Sequence, residues 1–122
     1  MSFTPENFTV WAEIPVTDFD RAIAFYNKVF DTELHKDCGP NPMAMFPTPN
    51  QAGVAGHLYP GKPAPAGTGP TVHLASPDKL EDALARVKDA GGEVVSDVIT
   101  IPSGRFAYCL DPDGNSIGLF SK

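Results

Sequence analysis

The chain has 122 residues, with 9 Lys and Arg against 15 Asp and Glu and a formal net charge of −6. That is enough chain to bury one core, and its 42% apolar and 20% charged residues describe a globule rather than a disordered or fibrous protein. The acidic balance argues against nucleic-acid binding, which needs cations to displace counterions from phosphate. No apolar run reaches the ~20 residues of a spanning helix, and Met1-Ser2-Phe3-Thr4-Pro5 carries no basic-then-apolar targeting signal. The two cysteines, Cys38 and Cys109, form no CxxC pair and read as free thiols of a reducing compartment, so a cytoplasmic location is expected.

Residues 8–16 (FTVWAEIPV) are rich in β-branched and aromatic side chains and predict a strand. Thr17-Asp18-Phe19-Asp20 then supplies a helix start, and Ala22, Phe25, Tyr26 and Val29 form one apolar stripe at i, i+3, i+4, i+7. Short strands are expected at 33–36, 43–47 and 53–59. The run 60–70 (PGKPAPAGTGP) can hold neither a helix nor a central strand and reads as a connector.

Beyond it the same order returns. Residues 71–75 predict a strand, Ser76-Pro77-Asp78 a capped helix start, and Leu80, Leu84 and Val87 its apolar stripe, with Gly91-Gly92 as the stop. Strands are expected at 93–101, 105–110 and 115–120, with a tight turn at Asp111-Pro112-Asp113-Gly114. The reading is one α+β domain over 1–122: a βαβββ module at 8–59, a linker at 60–70 and a βαβββ module at 71–120. Together these predict a cupped, mostly antiparallel eight-stranded sheet with helices outside and a ligand cup between the modules. The modules could pair within one chain or be exchanged between two.

Ile14-Pro15-Val16-Thr17-Asp18-Phe19-Asp20-Arg21-Ala22-Ile23-Ala24-Phe25-Tyr26 resembles the opening strand and helix of the vicinal oxygen chelate superfamily, which includes glyoxalase I, bleomycin-resistance proteins, fosfomycin-resistance enzymes and extradiol dioxygenases. Residues 78–92 resemble its second helix, and Asp111-Pro112-Asp113-Gly114-Asn115 its last hairpin. The resemblance implies a homodimer and, in metal-dependent members, four His or Glu ligands, two from each module. Carried over by spacing, those positions fall at Trp11, Gly56, Val72 and Gly118, none of which has a metal-binding side chain. No metal and no cofactor are therefore expected. His57 and His73 each lie one residue away, a displacement that strand alternation turns to the helix-covered side unless a bulge intervenes.

The candidate ligand-binding residues are Trp11, Glu13, Gly56, Val72, Tyr108 and Gly118. Trp11 offers a face for stacking or for a cation, Glu13 a carboxylate and Tyr108 a hydroxyl, while the two glycines leave volume. Arg105 is a candidate for an anionic group at the cup mouth. No GxSxG or Ser/His/Asp arrangement supports nucleophilic catalysis. The leading expectation is a metal-free small-molecule-binding protein resembling the bleomycin-resistance type. The alternatives are a glyoxalase-like lyase or isomerase, with a displaced metal site or using Glu13 and Tyr108, and a structural or regulatory domain with a filled cup.

Overall fold

A computed structural model describes residues 2–122. Among them lie two helices and nine strands, in the order β1 (Ala12–Val16), α1 (Phe19–Val29), β2 (His35–Asp37), β3 (Met43–Met45), β4 (Gly56–Pro60), β5 (Val72–Ala75), α2 (Leu80–Asp89), β6 (Glu93–Val94), β7 (Ile99–Ile101), β8 (Gly104–Leu110) and β9 (Ser116–Ser121). The strands form two mixed sheets, β1-β4-β3-β2 and β5-β9-β8-β6, with β7 also on β8. In each sheet the first strand pairs parallel with the last (β1 with β4, β5 with β9), and the other pairings are antiparallel. The expected α+β fold is the one observed.

Several strand boundaries differ from expectation: β2 opens at His35 rather than at 33, β3 closes at Met45 rather than at 47, and β4 opens at Gly56 rather than at 53. The first strand opens at Ala12, not at residue 8, which leaves Trp11 just ahead of it. The expected strand 93–101 is divided into β6 and β7. Between them the Ser96 hydroxyl oxygen accepts the Tyr108 N–H at 2.9 Å, where a ladder carbonyl would otherwise sit. A side-chain oxygen thus replaces the backbone partner and interrupts the strand.

Helix α1 forms where its stripe and cap agree. The Asp18 carboxylate accepts the Arg21 N–H at 3.0 Å, and Ala22, Phe25, Tyr26 and Val29 are all buried. Helix α2 starts later than its serine suggests: Lys79 holds the cap position, and the Ser76 hydroxyl donates to the Asp78 carbonyl instead. Asp78 and the Val29 carbonyl both accept from Arg86, at 2.9–3.1 Å, so one guanidinium joins α2 to the last turn of α1. The two helices share one core with Ile14, Val16, Leu58, Ile117 and Leu119.

A second tie crosses the molecule at the last turn. Buried Asp111 accepts four hydrogen bonds: the Tyr26 hydroxyl (2.8 Å), the Asn115 side-chain amide (2.9 Å), and the Asp113 and Asn115 backbone N–H groups (2.9 Å each). The same Asn115 amide donates to the Pro15 carbonyl at 2.8 Å, and Asp113 accepts from the Thr17 N–H and hydroxyl and from Arg21. Burial, with the Asp111 charge beside it, holds the Tyr26 hydroxyl well above the ordinary tyrosine range, so it stays a donor. The Asp-Pro-Asp-Gly-Asn turn therefore fastens the second half to the start of α1, with Gly114 in the left-handed region (φ +83°).

Cys109 is buried and its thiol is pushed up to about 11 by burial, whereas Cys38 is exposed. Titration of the native protein with a thiol reagent is expected to modify one cysteine per chain quickly, Cys38, and to reach Cys109 only after denaturation.

Candidate functional site

Side chains alternate along a strand, so the buried residues of each strand fix which neighbours face away from the helices. In β1, Ile14 and Val16 enter the core, which sends Glu13 to the opposite face, the side that Trp11 also takes. In β4 the core residue is Leu58, which puts His57 and Tyr59 on that same opposite face. The register agrees, pairing Glu13 with His57. In β5 Leu74 packs against the core, and in β9 Ile117 and Leu119 enter it, so His73, Gly118 and Phe120 face away. Phe106 and Tyr108 join them from β8, whose alternate residues Ala107 and Cys109 are buried.

This corrects the expected placement of the histidines. His57 and His73 lie on the face opposite the helices without a bulge, while Gly56 and Val72, the positions reached by spacing, take the core-side parity. Trp11, Glu13, Tyr108 and Gly118 have the parity expected of them.

Two polar-aromatic groups result. In the first, the Trp11 indole N–H donates to His57 Nδ1 at 2.9 Å, and His57 Nε2 stands 3.8 Å from Glu13 Oε1. Accepting at Nδ1 requires a neutral imidazole that carries its proton on Nε2, directed toward the carboxylate side. His57 is nearly covered, with 13% of its side chain exposed, whereas Glu13 is 62% exposed. In the second, the His73 ring lies over Gly118, where any Cβ would collide with it, and meets Phe106 edge-on at 5.1 Å and Tyr108 at 5.8 Å. Phe120 stacks on Phe106 at 6.2 Å. Arg105 is not free for an anion: it forms a bidentate pair with Glu81 at 2.7 and 3.2 Å, which holds the Glu81 carboxyl down to about 2.

Among the described residues no ladder joins β1 to β5, and cavities open along that seam. The largest of three, about 560 Å³, is bounded on one side by Ala12, Ile14, Phe46 and Gly56 and on the other by the whole of β5, from Val72 to Ala75. A second, of about 270 Å³, shares Phe46, Pro47, Thr48 and Ala55 with it and reaches Trp11. A third, of about 210 Å³, runs between Glu13, Ile14 and Pro15 of β1 and Val72, Asn115 and Ser116. Gly56 and Val72 thus line the largest cavity, Trp11 the second and Glu13 the third, while Tyr108 and Gly118 line none of the three.

The family model described as Glyoxalase/Bleomycin resistance protein/Dioxygenase superfamily matches residues 9–119. The chain belongs to this superfamily. Among solved structures it resembles a glyoxalase/bleomycin resistance protein from Albidiferax ferrireducens (TM-score 0.72, 20% identity, covering 95% of this chain and 99% of that one). It also resembles the trypanothione-dependent glyoxalase I of Leishmania major (0.71, 18%, 95% and 87%) and a fosfomycin resistance protein of Listeria monocytogenes (0.65, 18%, 90% and 88%). At these identities the likeness is one of fold. No curated protein sequence matches the chain.

The residues present do not fit the metal centre that the superfamily implies. Among the described residues no three His, Cys, Asp or Glu side chains converge to hold an ion. His57 Nδ1 is already taken by the indole, and Trp11 and Gly118 bring no ligand atom from their side chains. His57, Tyr59, His73, Phe106 and Phe120 were not among the expected site residues. The signal for them was the apolar alternation within each strand, Leu58 and Leu74 above all.

Proposed function

We propose that this superfamily member is a metal-independent small-molecule-binding protein whose ligand lies in the seam between the two modules, over 8–59 and 71–120. The observation that carries the reading is the cavity of about 560 Å³ between β1 and β5, within the ~300–1,000 Å³ range of ligand pockets and walled mostly by apolar side chains. The mismatch between the donor set and a divalent ion supports the metal-free part of the reading. Trp11, Glu13, Gly56 and Val72 contribute to the seam cavities. Tyr108 and Gly118 contribute the aromatic floor that carries His73.

The protein is proposed to act as a cytoplasmic homodimer. Phe3, Phe8 and Val10 ahead of β1 are exposed apolar side chains that a second copy would cover. It is not proposed to bind nucleic acid, given its charge of −6, and no helix among the described residues is long and apolar enough to cross a membrane.

One observation favours a second reading, a glyoxalase-like lyase or isomerase: both imidazoles lie on the face away from the helices, His57 beside Glu13 and His73 beside Tyr108. A group that accepts or releases a proton in a reaction has to reach substrate, and these are the side chains placed to do so.

The test is a thermal-shift screen of uncharged, cationic and anionic small aromatics, repeated on Val54→Trp. Val54 lies at the cavity wall and is exposed, so the larger ring fills the opening at little cost to folding. A compound at a hundred times its dissociation constant stabilises by about 2.7 kcal/mol, several degrees for a chain of this size. Compounds that stabilise the wild type and not Val54→Trp are the expected result. Equal shifts in both proteins would move the site elsewhere.

A further inference from the structure

Strands show a face by alternate residues, yet β5 lines the largest cavity with four consecutive residues, Val72, His73, Leu74 and Ala75. Only the edge of a strand can do this. The ladder to β9 fixes which groups that edge offers. Ser76 N–H bonds to the Phe120 carbonyl, and the register pairs Leu74 with Leu119, so the even-numbered residues of β5 turn their backbone groups toward β9. The N–H and C=O of His73 and Ala75 therefore point away from β9 into the seam, and among the described residues neither residue has a backbone partner there.

Around these groups the cavity presents no Asp, Glu, Lys or Arg side chain. Its polar side chains are the hydroxyls of Thr9, Thr32 and Thr48 and the imidazole of His73, and the rest are apolar, among them Ile14, Phe30 and Phe46. An ion entering such a site would lose hydration with no carboxylate, ammonium or guanidinium group to replace it. A neutral group with an adjacent donor and acceptor meets complementary N–H and C=O groups on the strand edge.

We infer that the ligand is uncharged and largely apolar, and carries a carboxamide, lactam or similar amide that hydrogen-bonds to the free edge of β5 at His73 and Ala75. This rests on the ligand-binding reading of the same cavity, and narrows it against the cationic ligand that the acidic composition alone would suggest.

Isothermal titration calorimetry with four probes on one scaffold tests it: naphthalene-2-carboxamide, naphthalene-2-carboxylate, 2-naphthylmethylammonium and 2-ethylnaphthalene. The carboxamide is expected to bind best and both ions on the order of a hundredfold more weakly. In Ala75→Pro the edge N–H is removed at a position that makes no ladder bond, where proline is tolerated. That variant is expected to lose roughly tenfold in carboxamide affinity and none for 2-ethylnaphthalene. Either ion binding as tightly as the carboxamide, in the wild type alone, overturns the inference. Equal carboxamide affinity in a folded Ala75→Pro overturns the role of the β5 edge. Charged compounds selected by the thermal-shift screen and excluded by Val54→Trp would overturn this inference while leaving the binding reading intact. Silence in both assays would overturn both.

Discussion

Asp111→Ala is expected to lower stability by about 4 kcal/mol, which for a chain of this length is a fall in melting temperature of about 15 °C. The carboxylate is buried and accepts from two backbone N–H groups, the Tyr26 hydroxyl and the Asn115 amide. Alanine leaves the two N–H groups and the hydroxyl without their acceptor, the hydroxyl in a fully buried position and the N–H groups in part-buried ones. The Asn115 amide keeps only its bond to Pro15. The damage also spreads, because the turn that Asp111 organises carries Asp113 to the start of α1, where it receives Thr17 and Arg21. Tyr26→Phe removes a single donor and leaves the carboxylate its other three, so its expected cost is about 1 kcal/mol. Calorimetric unfolding of the two variants beside the wild type checks both the size and the order of these effects. Similar falls for both would mean that the hydroxyl, and not the carboxylate, organises the turn.

Gly56→Ala and Gly118→Ala are expected to separate sharply although both replace a strand glycine nominated for the site. At Gly56 a Cβ would collide with the backbone carbonyl of Ala12 and lie 3.0 Å from its Cβ, across the parallel β1–β4 ladder. Backbone cannot step aside without opening that ladder, so the cost is about 3 kcal/mol, near the upper end for overpacking. At Gly118 the obstacle is the His73 imidazole, the end of an exposed side chain that can rotate away. Its replacement is expected to cost no more than about 1 kcal/mol, and to move the His73 ring off Phe106 and Tyr108. Denaturant unfolding measures the first difference, and the imidazole resonances of the two variants report the second. Gly56 is thus explained by the close approach of two strands, and Gly118 by the seat it makes for an imidazole.

The fold was legible in the sequence wherever a period and a terminator agreed. The Ala22, Phe25, Tyr26 and Val29 stripe behind Asp18 became α1, and the Pro/Gly run of 60–70 joined two halves of the same order. Strand register was less legible, for a local reason. Asp18 is a true cap, bonded to the Arg21 N–H, so counting back from it reached Trp11, on the side away from the helices. Asp78 looks equivalent but binds Arg86 ahead of a helix that opens at Leu80, and counting back from it reached Val72 in place of His73. Had the count started from the apolar residue that each strand must bury, Leu58 or Leu74, both histidines would have been found. A cup between the halves was expected, but an opening along the β1 and β5 edges was not readable, since it depends on two edge strands failing to pair, which no local pattern encodes.

The proposal of a metal-independent, ligand-binding member of the superfamily is open to direct test by metal analysis of the purified protein. Elemental analysis, together with melting curves in Ni, Zn, Mn, Mg and Fe(II), is expected to show no stoichiometric ion and no stabilisation, since an ion bound to the native state would raise the midpoint by mass action. One equivalent of bound metal, or a stabilisation lost in both His57→Ala and His73→Ala, would contradict a metal-independent site. It would make the two imidazoles the core of a metal centre that the Trp11–His57 hydrogen bond yields to form.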